Sequence, residues 1–156
     1  MWPCDHCEIT PVSSGVDPTA RNNQGNTPLS CAAMAGCVSL VERLLARGVD
    51  VNAANCNENV TPLMWAAARG HTEVAKLLLK QSDIGVNLLS RFQKAALGYA
   101  AADGHGELVD ALLRRDDVDV NLGSLAPVYL AATSWVGGEG LRKLLAVAGV
   151  DVNASR

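Results

Sequence analysis

Two short patterns in the chain contain residue types that could hold a catalytic metal. His71 and Glu73 form a His-x-Glu step, and Pro3 precedes Cys4 and Cys7 in a Pro-Cys-x-x-Cys step. In zinc-dependent deaminases one histidine and two thiolates bind the metal, while the glutamate transfers protons. These residue types therefore raise the hypothesis of a zinc-dependent enzyme.

The order and the repetition of these patterns argue against that hypothesis. The cysteine pair comes before the His-x-Glu step, whereas the deaminase signature has it afterwards. A second His-x-Glu step, His105 to Glu107, stands at the same place in a pattern that the chain repeats. Each glutamate would then lie in the first turn of a helix, where negative charge is favourable. The sequence therefore predicts no enzyme, no catalytic residue and no cofactor.

The segment Cys4 to Cys7, with His6 inside it, could instead be half of a structural zinc site. No second pair of ligands follows at the spacing of about 12 to 20 residues that zinc modules use. A redox Cys-x-x-Cys also lacks the strand and helix that would lower a thiol pKa. We predict an unstructured leader over residues 1–14 and no bound metal.

Composition restricts the possible partners and the compartment. The chain has 156 residues and a net charge of −3, with no basic cluster of the kind that binds nucleic acid. It has neither a signal-peptide pattern nor an apolar run long enough to cross a membrane. Five cysteines at irregular spacing favour a reducing compartment. We expect an intracellular protein, cytoplasmic or nuclear, that does not bind nucleic acid and does not insert into a membrane.

The chain repeats one pattern four times. The copies are NTPLSCAAMAG at 26–36, VTPLMWAAARG at 60–70, KAALGYAAADG at 94–104 and LAPVYLAATSW at 125–135. Successive copies begin 34, 34 and 31 residues apart. A second landmark of the type Val-Asp-Val-Asn keeps the same phase, as in VDVN at 49–52 and 118–121. Periods of this length are typical of stacked repeats.

The sequence pattern of each repeat predicts a first helix, a turn at a glycine and a second helix. Thr27 or Thr61 would cap the first helix ahead of a proline at its first position. Gly36, Gly70 and Gly104 would then end it. One face of the second helix is apolar: Leu40, Leu44 and Leu45; Val74, Leu77 and Leu78; Leu108, Leu112 and Leu113; Leu141, Leu144 and Leu145.

Residues 61–87, TPLMWAAARGHTEVAKLLLKQSDIGVN, resemble a near-consensus ankyrin repeat, and the resemblance extends roughly from Gly15 to Asn153. It implies an all-α fold, an ankyrin-repeat solenoid of stacked helix-turn-helix pairs with short loop or hairpin tips. The family's usual histidine in the Thr-Pro-Leu-His opening is replaced in every copy, by Ser30, Met64, Gly98 and Tyr129. The third copy also replaces Thr-Pro with Ala95-Ala96, and the fourth has SWVGGEG where the Gly-His turn belongs.

The repeat frame also predicts how the chain is divided. The predicted segments are a leader at 1–14 and an array at 15–156, made of a repeat tail at 15–25 and repeats at 26–55, 56–89, 90–123 and 124–156.

The resemblance implies a non-catalytic protein–protein interaction scaffold that binds a protein partner on its concave surface. Carried over by position, the partner-binding residues are Asn23, Gln24, Asn26, Met34, Asn57, Glu58, Val60, Arg69, Arg91, Phe92, Lys94, Asp103 and Trp135. Phe92 between Arg91 and Lys94 has the composition of an interface hot spot. In the alternative interpretation, Phe92 folds inward and covers a loosely packed third repeat.

Two further expectations follow from the frame. Trp65 and Tyr99 share a slot with Cys31 and are expected to face the core. Separately, the chain starts on a repeat tail and stops where another repeat would begin. The alternative function is therefore a regulatory or targeting segment cut from a larger multidomain protein, with no independent activity and with other domains of a longer parent chain as its partners.

Overall fold

The computed structural model describes residues 17–123, Arg142 and residues 144–146. Within residues 17–123 the chain forms six helices and no strand, as predicted for an all-α fold. The helices are α1 (Pro28–Ala35), α2 (Val38–Leu45), α3 (Pro62–Arg69), α4 (Thr72–Leu79), α5 (Ala96–Ala102) and α6 (Gly106–Leu113).

The helices form two layers. The first helices of the repeats, α1, α3 and α5, pack side by side, and the second helices, α2, α4 and α6, form a layer behind them. Each first helix also packs on the second helix of its own repeat. Since each repeat contacts mainly its neighbours, the stack has the quasi-one-dimensional organisation of a solenoid, as the sequence predicts.

The first two repeats begin with the caps that the sequence predicts. The backbone N–H of Ser30 donates to Thr27 Oγ1 at 3.2 Å, and that of Met64 donates to Thr61 Oγ1 at 3.3 Å. α5 starts after Ala95, which has no side-chain oxygen and makes no capping hydrogen bond. The third repeat therefore forms its first helix without this stabilisation.

Glycine turns end the first helices. Gly36 and Gly70 are the C-cap residues of α1 and α3, with φ of +73° and +71°. This left-handed conformation costs an L-residue about 1–2 kcal/mol and costs glycine little. α5 ends one residue earlier in the frame, so that Asp103 is its C-cap and Gly104 follows it with φ of +74°.

The apolar core lies between the two layers. Cys31 and Cys37 are buried in it. The fully buried residues of the second helices are Val41 and Leu44, then Val74, Ala75 and Leu78, then Leu108, Val109 and Leu112.

The predicted apolar face of the second helices is partly wrong. Leu77 and Leu113, expected in the core, are only half-buried, as are Leu40 and Leu45. Leu145 is exposed although its neighbour Leu144 is buried. A helix that packs on one layer covers a narrow stripe, and residues at the flanks of that stripe remain accessible along the grooves between second helices.

Asparagine side chains in the loops that follow α2 and α4 form hydrogen bonds to the next repeat. Asn52 donates from Nδ2 to the Asp83 carbonyl at 2.7 Å and accepts at Oδ1 from the Gly85 N–H at 2.7 Å. Asn87 makes the same pair of bonds with Asp117 and Asp119, at 2.6 and 2.9 Å. The Val-Asn landmark of the sequence is therefore an inter-repeat hydrogen-bond bridge.

Arg115 adds another link between repeats. It donates from Nη1 to the Leu79 carbonyl at 2.8 Å and from Nη2 to Asp117 Oδ2 at 2.7 Å. This hydrogen bond from Arg115 lowers the pKa of the exposed Asp117 carboxyl.

Candidate partner-binding surface

The two histidines of the His-x-Glu steps are structural. His71 donates from Nε2 to the Met34 carbonyl at 3.1 Å, and His105 makes the equivalent bond to the Ala68 carbonyl at 3.4 Å. Each ring therefore binds the end of the first helix in the preceding repeat. Glu73 is exposed and pairs with Lys76 at 2.7 Å, so it does not point at a shared metal site with His71.

Each of these rings also lies over a turn glycine of the preceding repeat. A Cβ placed on Gly36 would be 2.6 Å from His71 Nδ1, and one placed on Gly70 would be 2.6 Å from a ring atom of His105. The turn glycine of one repeat thus lies against the turn histidine of the next. Nothing in residues 17–123 or the four further described positions groups three metal-binding side chains, and Cys4, His6 and Cys7 lie outside the described residues.

Three hairpin tips precede the first helices: tip 1 (22–26), tip 2 (55–60) and tip 3 (90–94). The backbone closes them with bonds from Asn22 N–H to the Asn26 carbonyl, from Asn55 N–H to Val60, and from Ser90 N–H to Lys94. Tip 2 is one residue longer than the other two. The tips are the loop segments from which the sequence predicts partner binding.

Tips 2 and 3 are tied to each other. The Arg91 N–H donates to the Glu58 carbonyl at 2.8 Å, and Asn59 Nδ2 donates to the Leu89 carbonyl at 2.8 Å. Asn59 and Gln93 both have positive φ, of 55° and 54°, where tip 1 has Gly25. These bonds hold the two tips as neighbours beside α3 and α5.

Most of the predicted partner-binding residues lie on the surface formed by the tips and the ends of the first helices. Exposed among them are Asn23, Gln24, Asn57, Arg69, Arg91, Phe92 and Asp103, and half-buried are Met34, Glu58 and Lys94. Trp135 lies outside the described residues. This arrangement leaves the exposed side chains of the surface available to a partner.

Two of the predicted contact residues are almost completely buried. Asn26 is 1% exposed and Val60 is 3% exposed. Both are the last residue of their tip, where the carbonyl accepts the closing hydrogen bond and the chain turns inward towards the capping threonine. The structure therefore contradicts the prediction for Asn26, whereas Val60, although nearly covered, lines the aromatic groove defined below.

Phe92 points outward. Its exposure of 58% is the largest among the large hydrophobic residues that the structure describes, so it does not fold inward to cover the third repeat. Exposure of an aromatic residue between Arg91 and Lys94 produces the mixed apolar and cationic composition expected at an interface.

Trp65 and Tyr99 are not core residues in the sense that the sequence suggested. Both are half-buried: they pack against the core but also line a surface groove of about 140 Å³. This groove, called the aromatic groove below, lies between tips 2 and 3 and the helices α3 and α5. Its lining residues are Glu58, Val60, Trp65, Ala68, Phe92, Lys94 and Tyr99.

The signal for the aromatic groove was present in the sequence. The slot that holds Trp65 and Tyr99 holds the much smaller Cys31 in the first repeat, and Cys31 is fully covered. A larger ring on the same backbone must extend beyond the space that the cysteine fills. Size at this slot, rather than hydrophobicity, distinguishes a covered side chain from one that reaches the surface.

Tyr99 and Trp65 differ in the polar contacts that their side chains make in the aromatic groove. The Tyr99 hydroxyl donates to Ser90 Oγ at 3.0 Å, and the ammonium of Lys94 lies 5.7 Å from the centroid of the Tyr99 ring. The Trp65 indole N–H is buried and makes no hydrogen bond. Buried donors without a partner are rare in folded proteins, which sets Trp65 apart from an ordinary core residue.

Comparison with known proteins explains the repeated frame. A family model described as ankyrin repeats (three copies) matches residues 5–89, which is more than half of the chain. The chain belongs to the ankyrin-repeat family. The match starts at residue 5, inside the segment 1–14, so the boundary of the leader stays a prediction.

Relatives carry similar ankyrin segments within much larger proteins. The E3 ubiquitin-protein ligase KEG of Arabidopsis thaliana is 44% identical over 46% of this chain, and a putative ankyrin repeat protein, FPV219, of fowlpox virus is 36% identical over 45%. The human transient receptor potential cation channel subfamily A member 1 is 40% identical over 43%. The matched part spans 4%, 16% and 6% of the lengths of these relatives, in the same order.

Membership in the ankyrin-repeat family carries a general functional meaning. Ankyrin repeats are generally protein-interaction modules and generally not enzymes, although one relative, KEG, is named as an E3 ubiquitin-protein ligase. Among the described residues, none of the helices has both the length and the apolar character needed to cross a membrane.

Proposed function

We propose that this chain is a non-catalytic scaffold that binds a protein partner on the surface formed by tips 1 to 3 and the exposed ends of α1, α3 and α5. The observation that carries the proposal is Phe92, which is 58% exposed beside the half-buried rings of Trp65 and Tyr99. Exposed aromatic clusters flanked by arginine are the composition of binding hot spots, because a partner gains by covering their apolar area.

Charged residues on the proposed surface, in addition to the aromatic cluster of Phe92, Trp65 and Tyr99, would allow it to select one partner over others. Arg69 and Asp103 are exposed at the C-terminal ends of α3 and α5, and Arg91 is exposed in tip 3. Opposite charges in a partner would steer it and set its register, since charged groups at the edge of an interface contribute more to specificity than to affinity.

Affinity capture from the native extract tests the proposal. Phe92→Ala and Arg69→Ala are compared with the unchanged protein, and retained proteins are quantified by mass spectrometry. We expect at least one protein to be depleted about tenfold by Phe92→Ala, in line with the loss of a hot-spot side chain. Arg69→Ala is expected to reduce the same protein less.

Val38→Ala is the matched control. Val38 is 38% exposed and lies at the start of α2, in the second-helix layer. Removing it deletes exposed apolar surface from the other layer, so capture should be unchanged. If every captured protein is retained equally by Phe92→Ala and Arg69→Ala, the proposed surface is wrong.

A second candidate is a regulatory or targeting ankyrin segment within a longer protein. The small fraction of each relative that the matched part spans, 4% to 16%, supports it. An antibody raised against this chain would distinguish the two cases in the native extract. A band well above 16.3 kDa supports the longer protein, and a single band at that mass contradicts it.

A cytoplasmic or nuclear location belongs to the same proposal. It is supported by the five cysteines at irregular spacing, which are a poor framework for disulfides and favour a reducing compartment. Immunofluorescence with the same antibody checks it, and a signal confined to a secretory compartment would contradict it.

A further inference from the structure

The aromatic groove concentrates side chains of one chemical type. It is lined by Trp65, Phe92 and Tyr99, three of the six aromatic residues in the whole chain. The other polar lining residues are Glu58 and Lys94. A carboxylate beside three aromatic rings is a combination that favours a bound cation, because the face of each ring is electron-rich.

The fold holds the three rings together. Trp65 and Tyr99 occupy the same slot of α3 and α5, which pack side by side. Phe92 belongs to tip 3, and the bond from the Arg91 N–H to the Glu58 carbonyl ties this tip to tip 2. The groove is therefore built by the junction of repeats 2 and 3.

The structure already shows a cation against one wall of the groove. The Lys94 ammonium lies 5.7 Å from the centroid of the Tyr99 ring, within the distance at which a cation is attracted to a ring face. The volume of about 140 Å³ is well above the roughly 10–15 Å³ that one water molecule requires on this measure, so the groove has room for a small cationic group.

We propose that the aromatic groove binds the methylated ammonium of a lysine side chain in the protein partner, beside the ammonium of Lys94. This inference rests on the proposed function, since it names the chemistry that a partner would present to the same surface. Methylation matters because an unmodified ammonium is strongly hydrated, whereas methyl groups suit apolar ring faces.

Substitution of Lys94 distinguishes a bound cation from a bound anion, because it changes the affinity in opposite directions in the two cases. If the bound group is a cation, Lys94 repels it, so Lys94→Gln strengthens binding. If the groove instead received an anionic side chain, Lys94 would hold that group and the same change would weaken binding. Glu58→Gln has the opposite sign in each case, because it removes the carboxylate and keeps the shape.

The test uses Nα-acetyl-Nε-trimethyllysine amide as the probe, followed by NMR shifts of the Trp65 and Tyr99 rings. Two further probes are the unmethylated lysine amide and a neutral analogue in which a tert-butyl group replaces the trimethylammonium. We expect the trimethylated probe to bind about threefold to tenfold tighter than either one. Equal binding of the neutral analogue would overturn the proposal, and so would no measurable binding.

The variants complete the experiment. Glu58→Gln and Phe92→Leu are expected to weaken binding of the trimethylated probe about threefold to tenfold, and Lys94→Gln to strengthen it. Phe92 is exposed, and the Glu58 backbone bonds do not involve its carboxylate, so both variants should fold, which circular dichroism checks. Weaker binding by Lys94→Gln would overturn the cationic assignment.

Failure of this inference is distinguishable from failure of the proposed function. If a captured protein depends on Phe92 but the trimethylated probe does not bind, the partner surface stands and the cation site is wrong. If the probe binds while capture does not depend on Phe92 or Arg69, the cation site stands and the wider contact surface is wrong.

Discussion

The space available to a turn residue in one repeat is set by a histidine in the next. Gly70 has φ of +71°, and a Cβ on it would lie 2.6 Å from the His105 ring. Gly48 has a similar φ of +68° but has no heavy atom within 4 Å of the equivalent position. Substituting each glycine in turn therefore distinguishes the cost of a left-handed backbone from the cost of contact with the neighbouring repeat.

Gly70→Ala should lower the free energy of unfolding more than Gly48→Ala. Both changes place alanine in the left-handed region at a cost of about 1–2 kcal/mol, and Gly70→Ala adds a side-chain clash of about 1–3 kcal/mol. Urea denaturation of both variants measures the difference. In a His105→Ala background the excess should shrink, and an equal loss for the two glycines would contradict the contact between Gly70 and His105.

Individual residues were predictable where local chemistry alone decides their environment. Thr27 and Thr61 cap helices because hydroxyl, proline and helix start are adjacent in the chain. Trp65 was misplaced because its exposure depends on how much of a large ring two neighbouring repeats can cover. The packing of His71 over Gly36 was equally invisible, since it joins residues 35 positions apart.

The first helix of the third repeat differs from its two counterparts by its start. α1 and α3 begin after a threonine that accepts a backbone hydrogen bond, whereas α5 begins after Ala95 and makes none. Ala95 and Thr61 occupy the same position of the repeat and are equally buried, each with 3% of its surface exposed. Since Thr61 fits there in the second repeat, a hydroxyl is compatible with this degree of burial.

Ala95→Thr should therefore raise the free energy of unfolding by about 0.5–1 kcal/mol. The new hydroxyl would accept from the N–H of Gly98, the residue that corresponds to Ser30 and Met64. Thermal and urea denaturation measure the change. Ala95→Val is the matched control, because it has the same shape without the oxygen, and an equal gain from valine would rule out capping as the cause.

The first and second helices of each repeat and their order could be predicted from the periodicity of the sequence. Which side chains of the second helices are buried could not. The sequence grouped Leu77 with Leu78, and the structure leaves Leu77 half-buried while Leu78 is fully covered. Adjacent residues on a helix point about 100° apart, and which of them faces the other layer depends on how the helices rotate on packing. That rotation is set by contacts between repeats, which a single repeat does not encode.

The stack of repeats as a whole depends on its middle members. α3 packs between α1 and α5, and α4 contacts both α2 and α6. In such a quasi-one-dimensional array, stability is approximately the sum of terms for each repeat and for each junction. A defect in the second repeat therefore weakens two junctions at once.

Leu78→Ala should lower the free energy of unfolding by about 2–5 kcal/mol, since Leu78 is fully buried in α4. Leu77→Ala, on the same helix and half-buried, should cost about 1 kcal/mol or less. Hydrogen exchange should show amides of α1 and α5 losing protection along with α3 in Leu78→Ala. Comparable losses from the two leucines would contradict the observed core.

The histidine and asparagine links between repeats restrict how the gene can change in length. His71 reaches Met34 and His105 reaches Ala68 across the same separation of 37 residues, so duplicating or deleting a whole unit would preserve the histidine links. An insertion inside a helix pair would shift one partner of each link out of register. Single-residue growth is already accommodated in tip 2, which makes the tips the sites where related genes can diverge in length while the stack is preserved.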